Sequence, residues 1–164
     1  MDTFIEKIVN KKRDFKDTLI TVGIILAVLI AVPFAFRIPL LNAFIVVGLV
    51  YLAYYLITSR NLEYEYIVTN GDLDIDKIIA RRKRKRIFSA SCKDFDILAK
   101  VKSNSYSLQV QSIKNRIEAV SSMDSDDVYF ATLNYKGDRT VVFFEPDERM
   151  LNSFKSLIPR KIVN

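Results

Sequence analysis

Hydrophobic and polar positions divide the chain into two regions with different patterns. Residues 18–36 and 38–59 carry no charged side chain, and Arg37 alone separates these two stretches. At 1.5 Å per residue, each stretch is about as long as the hydrocarbon core of a bilayer is thick. From residue 61 onward, short alternating segments replace the apolar stretches. The pattern predicts two transmembrane helices, 18–36 and 38–59, followed by a separate domain over residues 61–164.

The distribution of basic residues predicts how the two spans are oriented. The link between them is too short for anything but an antiparallel hairpin. Lys and Arg concentrate in residues 1–17 and after residue 59, whereas the link holds only Arg37. By the positive-inside rule, both termini are predicted to be cytoplasmic in a multi-pass protein of the cell membrane. The alternatives are a buried helix pair in a soluble protein and a cleaved signal peptide. The unbroken apolar composition disfavours the first, and the lack of a small-residue cleavage motif disfavours the second.

Small residues recur every four positions along the first span. They are Gly23, Ala27, Ala31 and Ala35. A face of small side chains lets helices approach closely in lipid. Packing against the second span of the same chain is the favoured interpretation, and a homo-oligomer or a partner's helix is the alternative.

The segment before the first span has apolar residues at helical spacing. Phe4, Ile5, Ile8 and Val9 would lie on one side of a helix. Residues 1–17 are therefore predicted to form a short amphipathic helix on the inner leaflet.

The first part of the following domain reads as a β-hairpin. Apolar and polar residues alternate on both sides of Asn70-Gly71, a dipeptide typical of two-residue turns. Such a turn pairs Thr69 with Asp72 and places Glu65 opposite Asp76. The predicted core face holds Leu62, Tyr64, Tyr66, Val68, Leu73, Ile75 and Ile79. The opposite face holds Glu63, Glu65, Asp72, Asp74 and Asp76.

Six consecutive cations follow this hairpin. They are Arg81, Arg82, Lys83, Arg84, Lys85 and Arg86. A third strand over residues 84–91 would bring some of them beside the acidic face as counter-charges, and would leave those at the turn free. A basic cluster this close to a span is also attracted to anionic headgroups. Nucleic acid is a less favoured partner, because no aromatic residues are interleaved with the run and the chain is predicted to be anchored.

The remainder predicts an α+β domain. Residues 93–101 and 105–110 read as weak strands, and residues 124–127 as an acidic loop. A second hairpin has strands near 128–135 and 139–145. The chain then forms an amphipathic helix that starts at Pro146 and ends at Pro159. Its apolar stripe is Met150, Leu151, Phe154, Leu157 and Ile158. The predicted fold is thus an N-terminal transmembrane helical hairpin, then an antiparallel β-barrel or sheet with a C-terminal amphipathic helix.

Composition argues against catalysis. The chain contains no histidine and a single cysteine, Cys92. The commonest general base, the commonest metal ligand and any internal disulfide are therefore missing. Three aspartates at 72, 74 and 76 would project sideways from one strand face and would not converge on an ion. We predict no enzyme activity, no metal and no cofactor.

The order of these parts resembles a known type of domain. The stretch Tyr-x-Val-Thr-Asn-Gly at residues 66–71 and the closing FFEPDERMLNSFKSLIPRK at residues 143–161 carry the resemblance. Together with the span pair, they are similar to a family of small membrane proteins of Gram-positive bacteria. The resemblance implies a cytoplasmic pleckstrin-homology-like (PH-like) domain and no catalytic residues.

Two functions remain open at this point. The favoured one is a non-enzymatic membrane-anchored adaptor or scaffold that presents its PH-like domain to a protein partner. The alternative is a module that binds anionic lipid at the inner leaflet through residues 81–86.

Overall fold

The computed structural model describes residues 4–163, which form two β-sheets and two long apolar helices. The elements in chain order are β1 (Phe4–Asn10), α1 (Phe15–Ala35), α2 (Asn42–Thr58), β2 (Leu62–Thr69), β3 (Asp72–Ile79), β4 (Lys83–Ser91), β5 (Ile97–Lys100), α3 (Leu108–Gln111), β6 (Asn115–Glu118), β7 (Tyr129–Tyr135), β8 (Asp138–Phe144), α4 (Glu148–Leu157) and β9 (Ile162–Val163). The first sheet has the order β1-β2-β3-β4, and the second has the order β6-β8-β7-β5-β9.

The β2–β3 hairpin has the predicted register. Thr69 pairs with Asp72, and Glu65 lies opposite Asp76. The turn uses positive φ angles of 52° at Asn70 and 92° at Gly71, as the favoured hairpin turn requires. The third strand is also confirmed, because β4 pairs antiparallel with β3. A bulge between Asp76 and Ile75 shifts that register and leaves Ile87 as the extra residue.

The N-terminal segment is a strand, so the amphipathic helix predicted for residues 1–17 is wrong. Within β1, Ile5 pairs with Val68 and Val9 pairs with Tyr64. Ile5 and Val9 are buried, whereas Phe4 and Ile8 are exposed. This is the two-residue alternation of a strand, stabilised by backbone hydrogen bonds to the edge of β2. Residues 1–3 lie outside the described part.

This pairing also corrects the predicted order of the parts. The domain does not simply follow the helical hairpin, because β1 comes before α1 and completes the first sheet. The hairpin is an insertion between the first and second strands of the domain.

The two apolar helices differ in length. Helix α1 has 21 residues and is long and apolar enough to cross a membrane, whereas α2 has 17 residues and is shorter than the predicted span 38–59. Helix α1 begins at Phe15, three residues before the predicted start. Asp14 caps it, and Asp17 completes the capping box. The guanidinium of Arg60 pairs with the carboxylate of Asp17, so the start of α1 is joined to the chain just after α2.

The second sheet is mixed, whereas the sequence predicted antiparallel pairing. Strands β5, β7 and β8 are antiparallel neighbours, but β6 runs parallel to β8, and β9 runs parallel to β5. The predicted second hairpin is present as β7 and β8. The strand predicted at residues 105–110 is wrong, because that segment includes the short helix α3. Strand β6 has no counterpart in the prediction.

The predicted terminal helix closes the core between the two sheets. Asp147 caps α4 by accepting a hydrogen bond from the backbone N–H of Met150 at 2.8 Å. Met150, Phe154 and Ile158 are buried as predicted, whereas Leu157 is 40% exposed. Phe154 packs edge-on against Phe95 and Phe144. Three of the five residues of the predicted stripe are therefore buried in the core, whereas Leu151 is half-buried and Leu157 is exposed.

Both faces of the second sheet are buried. One face joins the central core, and the other contributes Phe130, Val141 and Phe143 to a second cluster. The segment that contains Tyr106 and Val110 covers this outer cluster. Burial on both faces explains why the last four residues of β8, 141–144, are all apolar instead of alternating.

A buried tyrosine joins the two sheets. The hydroxyl of Tyr66 donates to the carbonyl of Ala119 and accepts from the backbone N–H of Glu145 at 3.3 Å. Burial raises the pKa of Tyr66 above its ordinary range. The carbonyl of Glu145 also accepts from Nζ of Lys7 at 2.8 Å, which ties β1 to the same point.

Candidate anion-binding site between the helices and the first sheet

Three connections of the chain meet where the helices join the first sheet. They are the β1–α1 link, the α2–β2 link and the β3–β4 turn. They enclose a polar cleft of about 460 Å³. We call its basic lining the basic cradle: Lys11, Lys12, Arg13, Arg60, Arg81 and Arg82. Two carboxylates, Asp17 and Glu63, share the lining.

Backbone hydrogen bonds hold the three connections in place. The N–H of Lys11 donates to the carbonyl of Leu62 at 2.9 Å, which extends the β1–β2 ladder by one step. The N–H of Ala80 donates to the carbonyl of Asn61 at 2.8 Å, so the β3–β4 turn is joined to the start of β2. The cradle is therefore built on fixed backbone and not on a free loop.

Two of the six cations have a carboxylate partner. Arg60 pairs with Asp17, and Nε of Arg81 lies 2.9 Å from Oε1 of Glu63. The other four are not neutralised within the described chain. Arg13 donates to the neutral amide oxygen of Asn61 at 3.1 Å.

The remaining cations of the cradle also have only neutral partners or none. Arg82 donates to the hydroxyl of Thr58 at 2.6 Å, and its guanidinium lies 5.4 Å from the ring centroid of Tyr55. Among residues 4–163, neither Lys11 nor Lys12 forms an ion pair. A phosphate or another anion in this cleft would find charge-assisted hydrogen-bond donors that no carboxylate occupies.

The β3–β4 turn carries backbone strain at the cradle. Ala80 and Arg81 have φ angles of 53° and 56°. This turn has three residues, 80–82, whereas the two-residue turns of the β2–β3 and β7–β8 hairpins place glycine second, at Gly71 and Gly137. Left-handed backbone costs a residue with a Cβ roughly 1–2 kcal/mol. Strain of this kind gathers where a side chain has a function, and here it presents Arg81 and Arg82 to the cleft.

We expect Ala80→Gly to stabilise the protein by about 1 kcal/mol, because glycine adopts the left-handed region without penalty. Thermal or denaturant unfolding of the full chain in detergent measures the change. Ala90→Gly in the regular part of β4 is the matched control and should destabilise by about 0.5–1 kcal/mol. Equal destabilisation by both substitutions would show that the turn is not strained.

The residues of the basic run 81–86 differ in their partners. Arg84 lies 2.9 Å from Glu65, and Arg86 lies 2.7 Å from Asp74 and 2.8 Å from Asp76. The predicted role as counter-charge to the acidic face is thus confirmed for these two arginines. The prediction that cations at the turn stay free is wrong for Arg81, which pairs with Glu63. Within the described residues, Lys83 and Lys85 form no ion pair.

Sequence reasoning missed four members of the cradle. Lys11, Lys12, Arg13 and Arg60 had been used only to orient the spans. These four residues lie near the β3–β4 turn because β1 pairs with β2. The sequence does not indicate that pairing. The signal present in the sequence was the density of cations at both ends of the apolar region.

The small-residue face of α1 lies partly against α2. Ala35 is buried, whereas Gly23 and Ala27 are exposed. Ala27 and Ala31 line an apolar gap of about 230 Å³ together with residues of α2 such as Leu52. The favoured interpretation, packing within the chain, thus describes part of the face. A homo-oligomer stays a prediction.

The described residues hold no group of three or more Cys, Asp and Glu side chains arranged for a metal ion. Cys92 is fully buried, and burial raises the pKa of its thiol. A buried protonated thiol is a poor nucleophile.

The architecture defines the class of protein. Two packed β-sheets closed by a C-terminal helix form a PH-like domain, here with an apolar hairpin inserted between the first two strands. The model of the family described as "Bacterial PH-like domain (DUF6106)" matches residues 1–164, and the chain belongs to that family. Neither curated proteins nor solved structures gave a significant match. The PH-like resemblance is confirmed, and membership of this family suggests a binding or scaffold module. Gram-positive origin and two-span topology stay predictions.

Proposed function

We propose that the protein is a non-enzymatic, membrane-anchored scaffold whose inserted hairpin crosses the cell membrane twice. The hairpin holds the PH-like domain against the cytoplasmic face, where it serves a protein partner. The observation that carries this proposal is the insertion of an apolar hairpin between two strands that pair with each other.

The strand pairing supports two crossings. Strands β1 and β2 flank the hairpin and are neighbours in one sheet, so they lie on the same side of any membrane. A chain that leaves and returns to the same side crosses an even number of times. If α1 crosses, the chain must also return, and α2 is the apolar segment available. Its 17 residues extend about 25 Å at 1.5 Å per residue, close to the hydrocarbon thickness.

The surface of the helices supports a lipid environment. Leu29, Ile30 and Val47 are each more than 60% exposed, and many other large apolar residues of both helices are exposed too. A core helix of a soluble protein would bury these side chains, and a soluble surface rarely exposes so large an apolar area. A cleaved signal peptide fits less well, since cleavage after α1 would remove β1 and its buried Ile5 and Val9 from the domain.

Topology can be tested by cysteine labelling in intact cells. The buried Cys92 is first replaced by serine. Leu40→Cys then reports on the link between the helices, and Lys136→Cys reports on an exposed turn of the domain. We expect a membrane-impermeant maleimide to label position 40 in intact cells and position 136 only after permeabilisation. The reverse pattern contradicts the orientation. Equal labelling at both positions contradicts two crossings.

Anionic lipid is the second candidate ligand, and the basic cradle favours it. The cradle lies at the base of the hairpin, where a membrane-spanning α1 and α2 would leave the bilayer. Four of its cations have no carboxylate partner in the described chain. Each cation near an anionic leaflet contributes about 1 kcal/mol of attraction. The cradle differs from the run 81–86 predicted from the sequence, because only Arg81 and Arg82 belong to both.

A further inference from the structure

The outer face of the first sheet, turned away from the core, combines acidic and apolar side chains. We call this surface the outer face; it holds Phe4 and Ile8 of β1 and the acidic side chains of β1, β2 and β3 that lie on the same side of the sheet. Phe4 is 66% exposed and Ile8 is 51% exposed. These two residues lie on either side of Glu6 on the edge strand β1, and exposed apolar side chains rimmed by polar ones are typical of a contact surface for another protein.

One oxygen of a buried carboxylate on this face lacks a hydrogen-bond donor. The side chain of Glu65 is only 3% exposed, and its Oε1 accepts from Arg84 at 2.9 Å. Its Oε2 is buried and accepts no hydrogen bond from any described residue. Burial and the adjacent carboxyl of Glu6 raise the pKa of Glu65. A buried carboxylate oxygen without a donor, next to a second carboxyl, is costly, so positive charge brought beside Glu6 and Glu65 would be stabilising.

The face as a whole is short of positive charge. Its six carboxylates are Glu6, Glu63, Glu65, Asp72, Asp74 and Asp76. Three arginines pair with them: Arg81 with Glu63, Arg84 with Glu65, and Arg86 with both Asp74 and Asp76. The chain carries a formal net charge of +6, so this negative face stands out from the rest of the molecule. A ligand that complements it is cationic, which disfavours an anionic membrane surface.

We propose that the outer face docks a cationic, amphipathic segment of a protein partner. A Lys or Arg of that segment pairs with the exposed carboxyl of Glu6, next to Glu65, while its apolar side chains cover Phe4 and Ile8. The inference rests on the proposed scaffold role and names the chemistry of the partner. It does not depend on the orientation of the hairpin.

The test uses the full chain in nanodiscs of zwitterionic phosphatidylcholine, which expose both sides of the membrane. The probe is a fluorescent peptide of alternating lysine and leucine, and its binding is measured by fluorescence anisotropy. Empty nanodiscs give the baseline. A peptide of alternating glutamate and leucine serves as the charge-reversed control. We expect the lysine peptide to bind the protein above the baseline and the glutamate peptide not to bind. Equal binding of both peptides, or none above empty nanodiscs, overturns the inference.

Variants identify the surface. Glu6→Gln with Glu65→Gln should weaken binding of the lysine peptide at least about tenfold, as loss of charged hydrogen bonds does. Ile8→Ser removes an exposed apolar contact, leaves every charge in place and should also weaken binding. Asp124→Asn with Asp127→Asn makes the same charge change on an exposed loop and should leave binding unchanged. Equal loss in this control, or unchanged binding in both outer-face variants, overturns the proposal. If the peptide binds as expected but the cysteine labelling at positions 40 and 136 contradicts two crossings, only the proposed membrane topology is wrong.

Discussion

Replacing Lys11, Lys12 and Arg13 together by glutamine should weaken binding of anionic lipid by about two orders of magnitude. Each cation near the headgroups contributes about 1 kcal/mol, and about 1.4 kcal/mol corresponds to a factor of ten in affinity. Neither lysine has a carboxylate partner in the described chain, and Arg13 has only a neutral amide. The substitution therefore removes positive charge from the cleft without leaving a buried carboxylate unpaired.

The full chain in a neutral detergent is titrated with phosphatidylglycerol, and native mass spectrometry measures the fraction of protein that retains the lipid. Retention by the unsubstituted protein should also fall as salt is added, since exposed charges are screened. The matched control replaces Lys93, Lys114 and Lys155, which are exposed cations outside the cradle. Equal loss in the control would mean that lipid responds only to net charge. No loss in either variant would mean that the cradle does not bind lipid.

Replacing Ile5 and Val9 together by alanine should destabilise the domain by about 4 kcal/mol. Both side chains are 7% exposed and belong to the central core. Removing buried methyl groups costs the lost burial and leaves a cavity. Phe4→Ala with Ile8→Ala, on the exposed side of the same strand, should cost less than about 1 kcal/mol.

Denaturant unfolding of the full chain in detergent compares the two double variants. The comparison distinguishes the strand from the helix predicted by the sequence. On an interfacial helix, Phe4, Ile5, Ile8 and Val9 would all face the lipid, and the two variants would have similar effects. Similar free energies of unfolding would thus contradict the pairing of β1 with β2.

The β2–β3 hairpin shows where sequence reasoning succeeds. Asn70-Gly71 fixes a two-residue turn, and the alternation on both sides then fixes which residue faces which. Glu65 opposite Asp76 follows from these local signals alone. Two carboxylates facing each other, Glu65 and Asp76, are unfavourable without cations nearby. The expectation that arginines of β4 lie beside them is confirmed.

Strand β1 shows why the rest was missed. Phe4, Ile5, Ile8 and Val9 fit one helix face, but they also alternate partly in and out of a sheet, and short apolar runs are ambiguous between the two. The strand is decided by its partner, which lies beyond both helices in the sequence. No turn signal joins them. Strand β6 was missed for a similar reason, since it is four residues long and pairs in parallel with β8.

The cradle was predicted only in part for the same reason. A contiguous run such as 81–86 is visible in the sequence, but a cluster made from three separate links is not. Arg84 and Arg86 belong to the visible run and yet serve the acidic face. Lys11 and Lys12 lie far from the run in sequence and yet line the same cleft as Arg82.

The insertion of the hairpin between β1 and β2 sets the order of events during synthesis. Strand β1 is synthesised before both helices and β2, so it has no partner in the sheet until they have followed. In a chain that crosses the membrane twice, the first sheet closes only after the hairpin has returned to its starting side. A chain that inserted α1 alone would hold β1 and β2 on opposite sides, and the edge of β2 would stay unpaired and prone to aggregation. In a chain that crosses twice, pairing of β1 with β2 would thus depend on complete insertion of the hairpin.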